Sequence, residues 1–251
     1  MCEIFAYLNY NVNRERRYIL EVLFNGLRRL EYRGYDSTGI SIDFALLPLN
    51  SGASVFTTFS RPLGFRKIES LVKFVYESSE LNLEESFTVH AGIAHTRWVT
   101  HREPAPRNSH PQTSGPENDF VVVHNGVITN YEVCNTDAEV ISKLAKYVFD
   151  KANEGEGEHI ISFSEVVLEV MRHLNGAYAL IFKSRHYPNE LVTCKRGGPL
   201  LLGVKNRQPK ELFFSSDTNA LVEHTKKVLV VEDGCSCEVA ASFHFFFFCG
   251  A

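Results

Sequence analysis

Cys2 stands directly behind the initiator Met in "MCEIFAYLNY". Met removal is expected before a small residue, and Cys2 would then carry both a thiol and an α-amine. Reference pKa values are about 8.5 for the thiol and about 7.7–8.0 for the amine. Near neutral pH part of the amine is unprotonated, so it can act as general base for the thiol, directly or through a water. Many chains begin Met-Cys by chance, so position alone does not decide this.

Three other places carry suitable side chains. "HTRWVTHREPAPRNSHP" (95–111) holds three His, three Arg and the chain's one Trp. Arg97 can form a bidentate pair with a carboxylate, and Thr100 and His101 add hydrogen bonds. A metal site from His95, His101 and His110 is the alternative, but the three lack tight ligand spacing; a plain polar surface loop is another. In "VVVHNGVITNY", Asn125-Gly126 reads either as a hairpin turn between two strands or as an oxyanion hole, the Asn amide and the Gly N–H facing a developing charge. Asp137 is either a helix-dipole partner in a first turn or a carboxylate for a substrate ammonium. Taken together, thiol, oxyanion donors, Arg and Asp outline hydrolysis of the side-chain amide of L-glutamine.

The spacing of apolar residues predicts the elements that position these groups. Strands are expected at 2–8, 39–43, about 88–95, on both sides of Asn125-Gly126, and at 177–183, 190–194, 199–204, 211–215 and 227–232. Helices are expected at 14–31, around 68–75, at 136–150, about 164–174 and 218–224. Thr136 and Glu139 form a capping-box pattern. Residues 44–64 have no clear pattern, and 99–118 reads as a Pro-rich loop. The runs "VVV", "ALIF", "PLLLGV" and "VLVV" are apolar on both faces, which predicts sheets covered on both sides. The fold class is α+β, in one domain. The Phe-rich end, "CSCEVAASFHFFFFCGA", has the low-charge, high-β character of an aggregation-prone segment.

Composition narrows the function classes. The chain has 251 residues, 26 basic against 30 acidic, for a net charge of −4. That balance provides no electrostatic footprint for nucleic acid or an anionic membrane. Six cysteines in this length are too few for a disulfide scaffold. The first residues lack the basic start of a signal peptide, and no run approaches the roughly 18 apolar residues of a membrane span. A soluble, cytoplasmic chain with reduced thiols is expected.

The sequence resembles the glutamine amidotransferase domain of the glutamine–fructose-6-phosphate aminotransferases, a family of N-terminal-nucleophile hydrolases. The matching blocks include "GLRRLEYRGYDSTGI", "GIAHTRWVTHREPAPRNSHPQ", "VVVHNGVITNY", "TDAEVISKL", "LNGAYALIFKSRHYP" and "FFSSDTNALVEHTKKVLVVEDG". The resemblance implies a four-layer α/β/β/α sandwich of two mainly antiparallel sheets over 2–234, with 235–251 outside the core. It implies Cys2 as nucleophile and Asn125 with Gly126 as oxyanion hole. Arg97 and Asp137 would clamp glutamine, Trp98, Thr100 and His101 would line its pocket, and Arg33 would lie near the nucleophile. No cofactor or metal is implied. Ammonia would pass to fructose 6-phosphate in an isomerase half, which is expected to be absent here because the match ends near Gly234. Oligomeric state is not implied.

The chain departs from the family pattern at several points. Glu3 and Arg102 replace glycines, and only "EVCN" connects "NGVITNY" to "TDAEV". A carboxylate at Glu3, buried without a partner, would cost several kcal/mol. Its charge would also raise the pKa of the neighbouring ammonium.

Overall fold

The computed structural model describes residues 2–45, 55–62, 68–98, 108–130, 137–154, 161–205, 211–239 and 245–249. In chain order the elements are β1 (Glu3–Glu15), α1 (Arg16–Leu30), β2 (Ser37–Ala45), β3 (Val55–Pro62), α2 (Glu69–Tyr76), β4 (Ser86–Arg97), β5 (Gln112–Thr113) and β6 (Phe120–Ile128). Then come α3 (Asp137–Asn153), α4 (Phe163–His173), β7 (Gly176–Ser184), β8 (Leu191–Arg196), β9 (Leu201–Lys205), β10 (Glu211–Ser215), β11 (Val228–Val230), β12 (Cys235–Val239) and β13 (Phe245–Cys249).

Two sheets form the centre. The first runs β11-β9-β10-β1-β4-β2-β3 and the second β13-β12-β8-β7-β6-β5, with antiparallel pairing throughout. Period-2 alternation divides each strand between two cores. On β1, Ile4, Ala6 and Leu8 pack with Val121, Val123, Ala179 and Ile181 of the opposite sheet. Phe5 and Tyr7 face the other way, against Leu20, Leu23, Leu27 and Leu30 of α1. On the far side Phe120, Val122, Leu180 and Phe182 meet Ile141 of α3 and Val166, Val167 and Val170 of α4. The result is the expected α/β/β/α sandwich, and the double-sided apolar strands are its inner layers.

Local chemistry sets the helices on the sheets. Gly26 lets α1 lie directly on β1, because a Cβ there would come 2.4 Å from the Phe5 ring. Ser162 and Glu165 form a reciprocal capping box that starts α4. Thr136, half of the capping pattern expected for α3, lies outside the described residues.

Four sequence expectations change. Asn125-Gly126 is not a hairpin turn: β6 runs through it without a break, pairing Asn125 with Ala179 and Gly126 with Tyr178 of β7. Tertiary pairing along a whole strand overrides a two-residue turn signal. The helix expected over 218–224 is a single 3-10 turn, Thr218–Ala220. The "VLVV" strand is not covered on both faces, since Leu229 and Val230 are 53% and 68% exposed; β11 is the outermost strand of its sheet and lies at its edge. The segment without a pattern, 44–64, contains β3. At the C-terminal end, the backbone of β12 pairs with β8, and β13 pairs with β12.

Glu211, at the start of β10, gathers Tyr7 (2.8 Å), Arg14 (3.1 Å) and Lys205 (2.9 Å). Burial alone would raise its carboxyl, but the hydrogen bonds from Arg14, Lys205 and Tyr7 outweigh it and bring the pKa from 4.5 to about 2. A folded-state value below the unfolded one stabilises the fold above the unfolded pKa, and that contribution is lost as pH falls through the folded pKa. Urea unfolding between pH 4.5 and 2 is therefore expected to show a steep loss of stability in the wild type and a shallower one in Glu211→Gln. Parallel pH profiles for the two proteins would refute the linkage.

Candidate active site

Antiparallel pairing brings the start of β1 beside the end of β4: Glu3 opposes Thr96 and Ile4 opposes His95. Cys2, just before β1, is half-buried, and its Sγ lies 3.9 Å from the carbonyl oxygen of Trp98. Arg97 ends β4 and is 9% exposed. Among the described residues its Nη1 has no hydrogen-bond partner. A buried guanidinium N–H left unmatched is what a carboxylate would satisfy.

Trp98 follows, 44% exposed, with its ring on Gly34. Gly34 has φ +75°, and a Cβ there would come 2.4 Å from Trp98 Cζ3. Glycine is therefore required both by the backbone and by the tryptophan. The Asp36 N–H donates to the Arg97 carbonyl at 2.7 Å, holding the "YRGYDS" turn against the end of β4.

Asn125 and Gly126 come from the second sheet. Asn125 is 6% exposed. Gly126 has φ +141°, and a Cβ would meet Ala177 O at 2.1 Å and Tyr178 Cα at 2.7 Å. No other residue fits between these backbones. A hydrogen bond joins the two sheets here, 2.7 Å from His95 Nε2 to the carbonyl of His124. Asp137 is the first residue of α3; its side chain, like Thr100, His101 and Arg102, lies outside the described residues.

Arg33 ends a 3-10 turn after α1 and is held by acids. Its Nη2 donates to Asp217 Oδ2 at 2.7 Å, and its Nη1 lies 3.0 Å from Glu3 Oε1, an ion-pair contact without hydrogen-bond alignment. Glu3 is 1% exposed, as the double-sided strand implies, but it is not without partners. Ser216 Oγ donates to its Oε2 at 2.5 Å. Tyr32 donates to Asp217 at 2.5 Å. Burial raises the Glu3 carboxyl above its ordinary value, while Ser216 and Arg33 pull it back. The unpartnered acid expected from the sequence is corrected by Arg33 and by Ser216, which the sequence assigned no role. Replacing Glu3 is thus expected to cost stability: Glu3→Ala loses about 1.5–3 kcal/mol, the range for hydrogen bonds to charged groups. Denaturant unfolding checks this, and a variant more stable than wild type would contradict it.

Among the described residues, no group of three His, Cys, Asp or Glu side chains could hold a metal ion. A groove of about 610 Å³ opens between α3 and α4, bordered by Tyr147, Leu168 and Arg172, but none of the candidate site residues lines it. No helix among the described residues is long and apolar enough to cross a membrane.

A glutamine–fructose-6-phosphate aminotransferase of Arabidopsis thaliana is 62% identical over 273 aligned residues, covering 93% of this chain and 39% of that protein. The chain matches one part of these aminotransferases along almost its whole length. The rat enzyme is 38% identical over 93% of the chain and 41% of its own length, and the Saccharomyces cerevisiae enzyme 42% over 85% and 30%. The chain thus spans about two fifths or less of the aminotransferases it matches. The Arabidopsis alignment is longer than the chain itself, so the plant aminotransferase carries residues that this chain lacks. No family model matches. Glutamine phosphoribosylpyrophosphate amidotransferase from B. subtilis, in complex with ADP and GMP, superposes with a TM-score of 0.66 at 18% identity, covering 98% of this chain and 48% of that one. That likeness establishes the shared fold.

Proposed function

We propose that this aminotransferase domain hydrolyses the side-chain amide of L-glutamine. After removal of Met1, the α-amine of Cys2 takes the thiol proton, and the thiolate attacks the amide carbon. The oxyanion forms against the Asn125 amide and the Gly126 N–H. Collapse of the intermediate expels ammonia, protonated by the same amine, and leaves a thioester. Water, deprotonated by that amine, then releases glutamate. Arg97 holds the substrate α-carboxylate and Asp137 its α-ammonium. The family resemblance would have Trp98, Thr100 and His101 line the pocket and Arg33 lie near the nucleophile.

The observation that carries this reading is the buried, unmatched Arg97 N–H two residues from the His95–His124 link, with Cys2 against the Trp98 carbonyl. In the whole aminotransferase the ammonia goes to fructose 6-phosphate, giving glucosamine 6-phosphate. A cytoplasmic setting would keep Cys2 reduced.

The test joins two measurements on one sample: intact mass for loss of Met1, and glutamate release from glutamine. Release by the processed protein, and none by protein that retains Met1, is the expected result. Equal release by both would exclude the terminal amine as base.

A further inference from the structure

His95, His110 and His124 come together where the two sheets meet, and the mechanism above assigns them nothing. All three are buried, at 0%, 3% and 3% exposure. The His95 and His110 rings stack with centroids 4.1 Å apart at 17°, and the His110 and His124 rings are 6.5 Å apart at 23°. Stacked rings present faces to one another rather than converging lone pairs, so this is not a ligand set.

We infer that His95 is a positioning residue for the proposed glutaminase reaction, setting the oxyanion donors of β6 against the substrate-binding end of β4. Its Nε2 lies 2.7 Å from the His124 carbonyl oxygen. A carbonyl can only accept, so Nε2 carries the proton and donates. The His124 carbonyl and the Asn125 N–H belong to one planar peptide unit. Fixing that carbonyl fixes the plane that leads into Asn125, and the next peptide supplies the Gly126 N–H. His95 is equally tied to the other half of the site. It pairs with Ile4, two residues after Cys2, and precedes Arg97 by two residues on the same face of β4. Thr38 Oγ1 donates to the His95 carbonyl at 3.0 Å and steadies the strand from β2.

His110 backs the ring. Its own carbonyl packs on Gly39, where a Cβ would come within 2.2 Å. Burial, then His95, His124 and Arg97, push its pKa well below the ordinary value, so it stacks as a neutral ring. One hydrogen bond and one stack thus span the gap between carboxylate clamp and oxyanion hole. Misplacement of a reacting group by about 1 Å costs on the order of 10²-fold in rate.

The test is steady-state glutamine hydrolysis by the full, Met-processed chain. His95→Phe keeps a ring on His110 but removes the donor; His95→Gln keeps a donor, and His95→Asn is too short to reach. His95→Phe is expected to lower kcat by about 10–100-fold with KM for glutamine changed less than about threefold, because the Arg97 clamp is kept. His95→Gln is expected to recover most of kcat and His95→Asn little. If His95→Phe does not fold, the Gln and Asn pair gives the same answer. A folded His95→Phe with wild-type kcat, or equal kcat for Gln and Asn, overturns the proposal. This inference rests on the proposed glutaminase reaction: a wild type that releases no glutamate sinks both, whereas an active wild type with an equally active His95→Phe sinks this inference alone.

Discussion

Cys2→Ala lowers glutamate release from the Met-processed protein by a factor on the order of 10⁴ to 10⁶, the usual loss when a covalent nucleophile is removed. In the proposed reaction the thiol splits a difficult amide hydrolysis into two easier acyl transfers. Without it, only oxyanion stabilisation and substrate binding remain. No other described thiol can take over. Cys194 is fully buried on β8, packed in the core with residues of α3 and α4, and burial raises its pKa. Cys2 itself is only half-buried, so its truncation should leave the unfolding midpoint close to that of the wild type. Glutamate release is measured with both proteins shown to be folded. Release that survives in Cys2→Ala would mean that another group performs the chemistry.

Lys183→Met destabilises the fold by about 3–5 kcal/mol, the cost of stranding a buried charge. Lys183 projects from β7 of one sheet and hydrogen-bonds Asp43 of β2 and the Ala91 carbonyl of β4, both in the other. The lysine and aspartate side chains are 3% and 9% exposed. Asp43 also accepts from the Ala91 N–H at 2.8 Å, and its own N–H donates to His90 Nε2 at 3.1 Å. Burial would raise the Asp43 carboxyl, but the Lys183 charge and His90 more than offset it and hold it below its ordinary value. The methionine fills the same space but leaves that carboxylate alone between the sheets. Asp43→Asn combined with Lys183→Met removes both charges and should recover more than half of the loss. Urea unfolding of the four proteins, with m-values compared, gives the coupling. A single Lys183→Met variant within about 1 kcal/mol of wild type would show that the pair holds nothing.

Much of the proposed site chemistry can be read from the sequence. An N-terminal Cys, an Arg near three histidines, an Asn-Gly and an acid at a helix start describe one substrate because each group has a narrow chemical use. The double-sided apolar strands were legible too, since a strand buried on both faces has no room for polar alternation. Asn125-Gly126 was ambiguous: two residues give the same turn signal whether the strand continues or reverses, and only the pairing of β6 with β7 along its whole length decides.

What the sequence by itself determined is the list of groups and the period of the elements that carry them, because both are local properties. Only the tertiary structure decided who meets whom. Glu3 looked like an unpaired acid until Ser216, more than two hundred residues away, was seen to bond to it. His124 has no role in the sequence reading, yet His95 of the other sheet bonds its carbonyl. The physical reason is the same in both cases. The cost of a buried polar group depends on its partner, and in an antiparallel sandwich the partner is set by register and layer rather than by distance along the chain.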